Sequence, residues 1–233
     1  HQITAQYLGN ASFAASASAA RTLTILAAPG RELQIATGQN HTCALSDDQL
    51  LYCWGSNGDG QLGTGTTTDQ LTPTLVSRMR DAARIATGLS HTCALRDNGM
   101  VSCWGANESG QLGDGSTRAR RIPGRVSGLS RITQIATGQN HACALSVFGT
   151  VLCWGANNMG QLGDGSTTDR SRYVRVVGLR RVTAIAAGGN HTCALRDTGA
   201  VVCWGGNNAG QLGDGTTIDR LAPVWVAGMR QMT

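Results

Sequence analysis

Two residue types in this chain recur at spacings that could hold a metal or exchange electrons. His41, Cys43 and Cys53 return 50 residues on as His91, Cys93 and Cys103, then as His141, Cys143 and Cys153, then as His191, Cys193 and Cys203. One histidine and two cysteines on a single strand face would offer zinc three ligands. A structural zinc site wants a fourth ligand, and the usual Cys-x-x-Cys knuckle is missing. Four equally spaced, facing pairs instead favour disulfides 43–53, 93–103, 143–153 and 193–203 over reduced core thiols or metal ligands. Each bridge closes a short loop, contributing about 2.7 kcal/mol in the chain-entropy treatment. Bridges imply an oxidising compartment, so the chain is expected to be extracellular or at a cell surface. The histidines are expected to hydrogen-bond the turn behind Gly38-Gln-Asn, as buried polar groups must.

Other chemistry finds no support. Gly163–Asp169 superficially suggests a calcium loop but lacks the alternating carboxylates and the closing glutamate. No nucleophile elbow, phosphate loop or paired-acid constellation is present, so the expectation is no enzyme, no cofactor and no metal. The net charge of +5 comes from arginine, with no lysine anywhere. Arg78, Arg80 and Arg84, Arg118, Arg120, Arg121 and Arg125, and Arg170, Arg172, Arg175, Arg180 and Arg181 gather where one repeat joins the next. No aromatic interleaving accompanies them, so they read as solvated outer strands and loops rather than a nucleic-acid surface. No apolar run approaches the roughly 18 residues that a membrane span needs. Asn10, Asn40, Asn107 and Asn190 fit the glycosylation sequon, a common pattern, and a surface glycan enters only as a minor partner expectation.

The elements that must position these residues follow from the period. A fixed 50-residue step without insertion is the signature of a propeller or solenoid, each unit unable to bury its faces alone. The expected repeats are 33–82, 83–132, 133–182 and 183–233. Each reads as four strands. The first is short and apolar (Leu33–Ala36, Ala83–Ala86, Ile132–Ala136, Val182–Ala186). The second and third, such as His41–Ser46 and Leu50–Gly55, form a tight hairpin. An outer strand lies near Thr72–Val76, Ile122–Val126, Tyr173–Val177 and Ala222–Val226. In the second repeat Asp97-Asn98-Gly99 suits a three-residue hairpin with glycine in the left-handed position, while Asp47-Asp48-Gln49 lacks that glycine and should be strained. Centring the hairpin on residue 98 sets Cys93 opposite Cys103 at a non-hydrogen-bonded pair. His91, Cys93, Leu95, Val101 and Cys103 then share one face, and Thr92, Ala94 and Trp104 the other. Both faces are apolar or small, as radial stacking demands.

Residues 1–26 stand outside the repeat. Two alternating stretches, Ile3–Tyr7 and Leu23–Ile25, read as antiparallel strands, and Tyr7-Leu-Gly-Asn-Ala-Ser-Phe13 with Leu23-Thr-Ile25 resembles the final strands of a bacterial immunoglobulin-like domain. Residues 27–32, with Pro29-Gly30, read as a linker.

The unit Ile-Ala-Thr-Gly-x-x-His-Thr-Cys-Ala-Leu, then Val-x-Cys-Trp-Gly-x-Asn-x-x-Gly-Gln-Leu-Gly-Asp-Gly, resembles the regulator of chromosome condensation (RCC1) repeat over about residues 31–233. The resemblance implies an all-β fold: four propeller blades belonging to a larger, seven-bladed ring, after a fragment of an immunoglobulin-like sandwich. It implies a protein-binding scaffold, with nucleotide exchange on a small GTPase and inhibition of secreted β-lactamases among known family roles. The cysteine pairs argue against the nuclear role. The chain is thus read as a segment of a larger bacterial secreted or surface protein, non-enzymatic and able to self-associate through open propeller edges, including into a filament. Its rival is an inhibitor of a secreted enzyme. Partner contacts are expected on the loops before Gly-Gln-Leu-Gly, at Asn57, Asp59, Asn107, Glu108, Asn158, Met159, Asn207 and Asn208, because loops at one end of a rigid sheet vary most.

Overall fold

The computed structural model describes residues 34–46 and 49–229. The expected immunoglobulin-like strands of 1–26 and the linker 27–32 lie outside the described residues. What is described is all β: four antiparallel four-stranded sheets, each a simple meander. The first holds β1 (Gln34–Thr37), β2 (His41–Leu45), β3 (Leu51–Gly55) and β4 (Gln70–Leu75). The second holds β5 (Ala82–Thr87), β6 (His91–Arg96), β7 (Val101–Gly105) and β8 (Arg120–Arg125). The third holds β9 (Ile132–Thr137), β10 (His141–Ser146), β11 (Val151–Gly155) and β12 (Arg170–Arg175). The fourth holds β13 (Val182–Ala187), β14 (His191–Arg196), β15 (Val201–Gly205) and β16 (Arg220–Trp225). The strands β1, β5, β9 and β13 neighbour one another from blade to blade, so they mark the inner edge.

Alternation along β6 and β7 sends Cys93, Leu95, Val101 and Cys103 to one face and Ala94 and Trp104 to the other, and all six are buried. Each hydrophobic core therefore lies between blades rather than within one. The first seam joins Cys43, Leu45, Leu51 and Cys53 to Ala94 and Trp104 of the next blade. The second joins Leu95 and Val101 to Ala142, Ala144 and Trp154, and the third joins Leu145 and Val151 to Ala194, Val202 and Trp204. One blade supplies the disulfide face and the next supplies alanine and tryptophan. Small residues let the sheets approach, and the indole fills the wider outer wedge.

The hairpins place Cys43, Cys93, Cys143 and Cys193 directly opposite Cys53, Cys103, Cys153 and Cys203. All four pairs are disulfide-bonded, with Cα atoms about 4 Å apart (4.1, 4.1, 4.1 and 4.0 Å), as close as non-hydrogen-bonded partners come. Gly99, Gly149 and Gly199 take positive φ at the hairpin bend. Gln49 does the same at φ 66° without being glycine, a conformation in which its Cβ crowds the carbonyl.

The outer strands differ from the sequence reading. They begin two residues earlier than expected at Gln70, Arg120 and Arg220 and three earlier at Arg170, and they end one residue earlier, or two in the third blade. Gly55 pairs with Gln70 and Cys53 with Thr74, so residues 71–73 bulge out opposite Trp54 alone. Pro73 sits in that bulge, where its missing N–H costs no ladder bond. The polar residue before the bulge carries no alternation signal, which is why the strand start escaped the pattern.

Candidate interaction surface

Every sheet has two ends. At one, the β3–β4 loop of the first blade opens with Asn57, and this is where the expected partner residues lie. The Asn57 side chain is fully buried: its Nδ2 donates to the carbonyls of Thr66 at 3.1 Å and Thr68 at 2.9 Å, and its Oδ1 accepts from the Leu62 amide at 3.0 Å. Asn107 repeats this with Ser116, Arg118 and Leu112, and Asn207 with Thr216, Ile218 and Leu212. Asn57, Asn107 and Asn207 therefore cannot meet a partner. Each amide occupies the centre of its loop and satisfies carbonyls that the irregular backbone leaves open. The Asn107 sequon is buried with it. Asp59, Glu108, Asn158 and Asn208 are exposed at the same loops, and Met159 is half-buried. Met159 leans on the next blade, where Gly206 leaves room for its sulfur.

The same loops are pinned by charge. Asp164 accepts from the Ser166 hydroxyl and amide at 2.7 and 3.0 Å and pairs with Arg170 at 2.9 Å. Partial burial pushes its carboxyl up, but the hydrogen bonds from Ser166 and Arg170 outweigh that and hold it below the usual range. Asp214 is lowered to about 2, first by the Thr216 hydroxyl and then, against a desolvation penalty, by Arg220. These arginines are tied to their own loops rather than free for an anionic partner.

Sequence reasoning missed how one blade grips the next. The Gln61 carbonyl accepts from Trp104 Nε1 at 2.9 Å and from the Thr92 hydroxyl at 2.8 Å, both on the following blade. His41 Nε2 lies 2.9 Å from Thr92 Oγ1. His41, and likewise His141 with Thr192, thus bond across a blade seam, not to their own turn as expected; the four histidine rings lie under Gly38, Gly88, Gly138 and Gly188, where a Cβ would run into the imidazole. Burial lowers His41 and His141 to about 4 and, with the neighbouring His41 and His141, lowers His91 to about 3. All three are neutral. The cysteines that a zinc ion would need as thiolates are bonded to each other.

At the other end the hairpin tips are open. Val147 and Phe148 are exposed at 56% and 70%, with the Arg131 guanidinium 5.7 Å from the Phe148 ring centre. In the fourth blade the place of Val147 is taken by Asp197, paired with Arg181 at 2.8 Å. The interruption of Asp-x-Gly by Val147-Phe148-Gly149 was the signal for this tip.

Among the described residues no helix is long and apolar enough to cross a membrane. A family model described as the RCC1-like domain matches residues 7–233, beginning inside the stretch that resembles an immunoglobulin-like domain. The chain belongs to this family. It is similar to human WBSCR16, with 27% identity, a TM-score of 0.75, and coverage of 84% of this chain and 53% of that one. Yeast RCC1 (Prp20), solved bound to Kap60, is 22% identical with a TM-score of 0.75, covering 88% and 51%, which supports the fold. One-blade matches include the Ras guanine nucleotide exchange factor C of Dictyostelium discoideum, 49% identical over 47 residues (20% of this chain, 3% of that protein). The Ultraviolet-B receptor UVR8 of Arabidopsis thaliana is 49% identical over 43 residues (18% of this chain, 10% of that protein). The chain thus spans about half of these solved relatives and a tenth or less of these curated ones.

Proposed function

We propose that this RCC1-like chain is a non-enzymatic scaffold of a secreted or surface protein that binds a protein partner through exposed loop positions on its blades. The observation carrying the reading is the set of four cross-strand disulfides, one per blade. Staples of this kind persist where the environment is oxidising. The contact residues proposed are Asp59, Glu108, Asn158 and Asn208, with Met159 beside them. Bacterial origin, and continuation of the blades in a longer polypeptide or by neighbouring copies, belong to the same reading.

Redox state tests it. Protein purified from its native host without reductant should gain about eight hydrogens in intact mass when its cysteines are reduced. Eight free thiols in the native protein would remove the extracellular assignment.

A second reading, guanine nucleotide exchange on a small GTPase, is favoured by the one-blade match to an exchange factor. It predicts a reduced, intracellular protein. The same measurement separates the two, since an exchange factor in a reducing cytosol keeps its thiols free.

A further inference from the structure

The three blade seams are not equal. At the first, Thr92 Oγ1 donates its single proton to the Gln61 carbonyl at 2.8 Å. It therefore accepts from His41 Nε2 at 2.9 Å, which fixes the proton of that ring on Nε2. The third seam is built alike: Thr192 Oγ1 donates to the Gln161 carbonyl at 3.0 Å and lies 2.9 Å from His141 Nε2. In both, the carbonyl also accepts from a tryptophan, Trp104 or Trp204, at 2.9 Å.

At the second seam the threonine position is Ala142. Trp154 Nε1 still donates to the Gln111 carbonyl at 2.9 Å, so the backbone framework is in place. His91 is fully buried, and neither of its ring nitrogens has a hydrogen-bond partner. A neutral imidazole must carry one N–H. Its Nδ1 faces Gly88, as the Nδ1 of His41 faces Gly38, so the proton points from Nε2 toward Ala142. A buried N–H donor and a carbonyl with a spare lone pair thus flank a side chain that is one carbon and one oxygen smaller than threonine.

We propose that the second seam is a water-binding site, in which one molecule takes the place that Thr92 Oγ1 and Thr192 Oγ1 fill at the others. The water accepts from His91 Nε2 and donates to the Gln111 carbonyl. The room gained from threonine to alanine is about that of one water, and two strong polar partners meet the minimum such a site needs. Blades two and three are then joined through an exchangeable molecule, whereas their neighbours are joined by a side chain.

Two substitutions and one direct observation test this. Ala142→Thr supplies the hydroxyl and should raise the melting temperature by about 2–4 °C, in the range expected for a chain of this size. Ala142→Val has the shape of threonine but offers His91 no acceptor, and should melt below both the threonine variant and the parent. A valine variant as stable as the threonine one would mean an apolar gap and overturn the proposal. If either variant fails to fold, a high-resolution crystal structure of the parent decides: a density peak within about 3 Å of both His91 Nε2 and the Gln111 oxygen supports the site. A well-ordered seam without such a peak removes it.

Discussion

The two ends of each sheet look alike in sequence, both rich in glycine, asparagine and aspartate, yet they are physically opposite. At the loop end, Asn57, Gln61 and His41 are buried and hydrogen-bonded inside their loop or across to the next blade. At the hairpin end, Gln49, Phe148 and Asp197 face solvent or lie half-open, and little rests on them. The difference shows that repetition in this chain marks joinery, not a shared binding surface. Within the recurring Gly-Gln-Leu-Gly, the Gln61, Gln111 and Gln161 carbonyls each receive the indole of the following blade, and those of Gln61 and Gln161 a threonine hydroxyl as well.

Acid should expose this contrast most strongly. His41, His91 and His141 are depressed to about 4, 3 and 4 by burial, below the usual 6.5. The unfolded chain binds their protons first, so their stabilisation is complete above pH about 6.5 and falls away as pH drops toward 4. Thermal melts across that window should lose several kcal/mol. A flat profile would mean that the loop end is not the closed interior described.

Gly63→Ala attacks the same end sterically. The residue sits at φ +70°, and a Cβ would lie 2.6 Å from Trp104 Nε1. Denaturant unfolding should show a loss of about 3 kcal/mol or more, from left-handed strain plus displacement of the indole. Asn157→Ala should cost about 2 kcal/mol, because it strands the Ser166 and Thr168 carbonyls and the Leu162 amide inside the loop.

The hairpin end should respond weakly, and once in the opposite direction. Gln49→Gly removes a left-handed non-glycine residue and should stabilise by about 0.5–1 kcal/mol by the same denaturant measurement. Glu108→Ala at the exposed rim of one end, and Phe148→Ser at the other, should both stay within about 0.5 kcal/mol of the parent. Whichever of those two weakens partner binding identifies the face that the partner covers.

The sequence made part of this legible. The 50-residue step, the two-residue alternation and the facing cysteines were enough for blades, hairpins and the register within each hairpin, because each is a local regularity. The role of Asn57 was not legible, since a buried loop amide and an exposed one have the same neighbours in sequence. Nor was the latch: Gln61 and Trp104 are 43 residues apart and meet only when two blades stack. Ala142 stood in plain view among threonines, and its meaning depended on where the ring of His91 pointed.

The disulfides, finally, bear on how such a chain could be made and multiplied. Eight cysteines can pair in about a hundred ways, so a secreted chain commonly risks scrambled partners. Here each cysteine finds its mate 10 residues away, across a single hairpin, and none bridges two blades. A formed hairpin holds its own two thiols face to face through the much slower step of oxidation, so correct pairing can proceed one unit at a time as the polypeptide emerges. A gene encoding one more unit would add its own staple without disturbing those already formed.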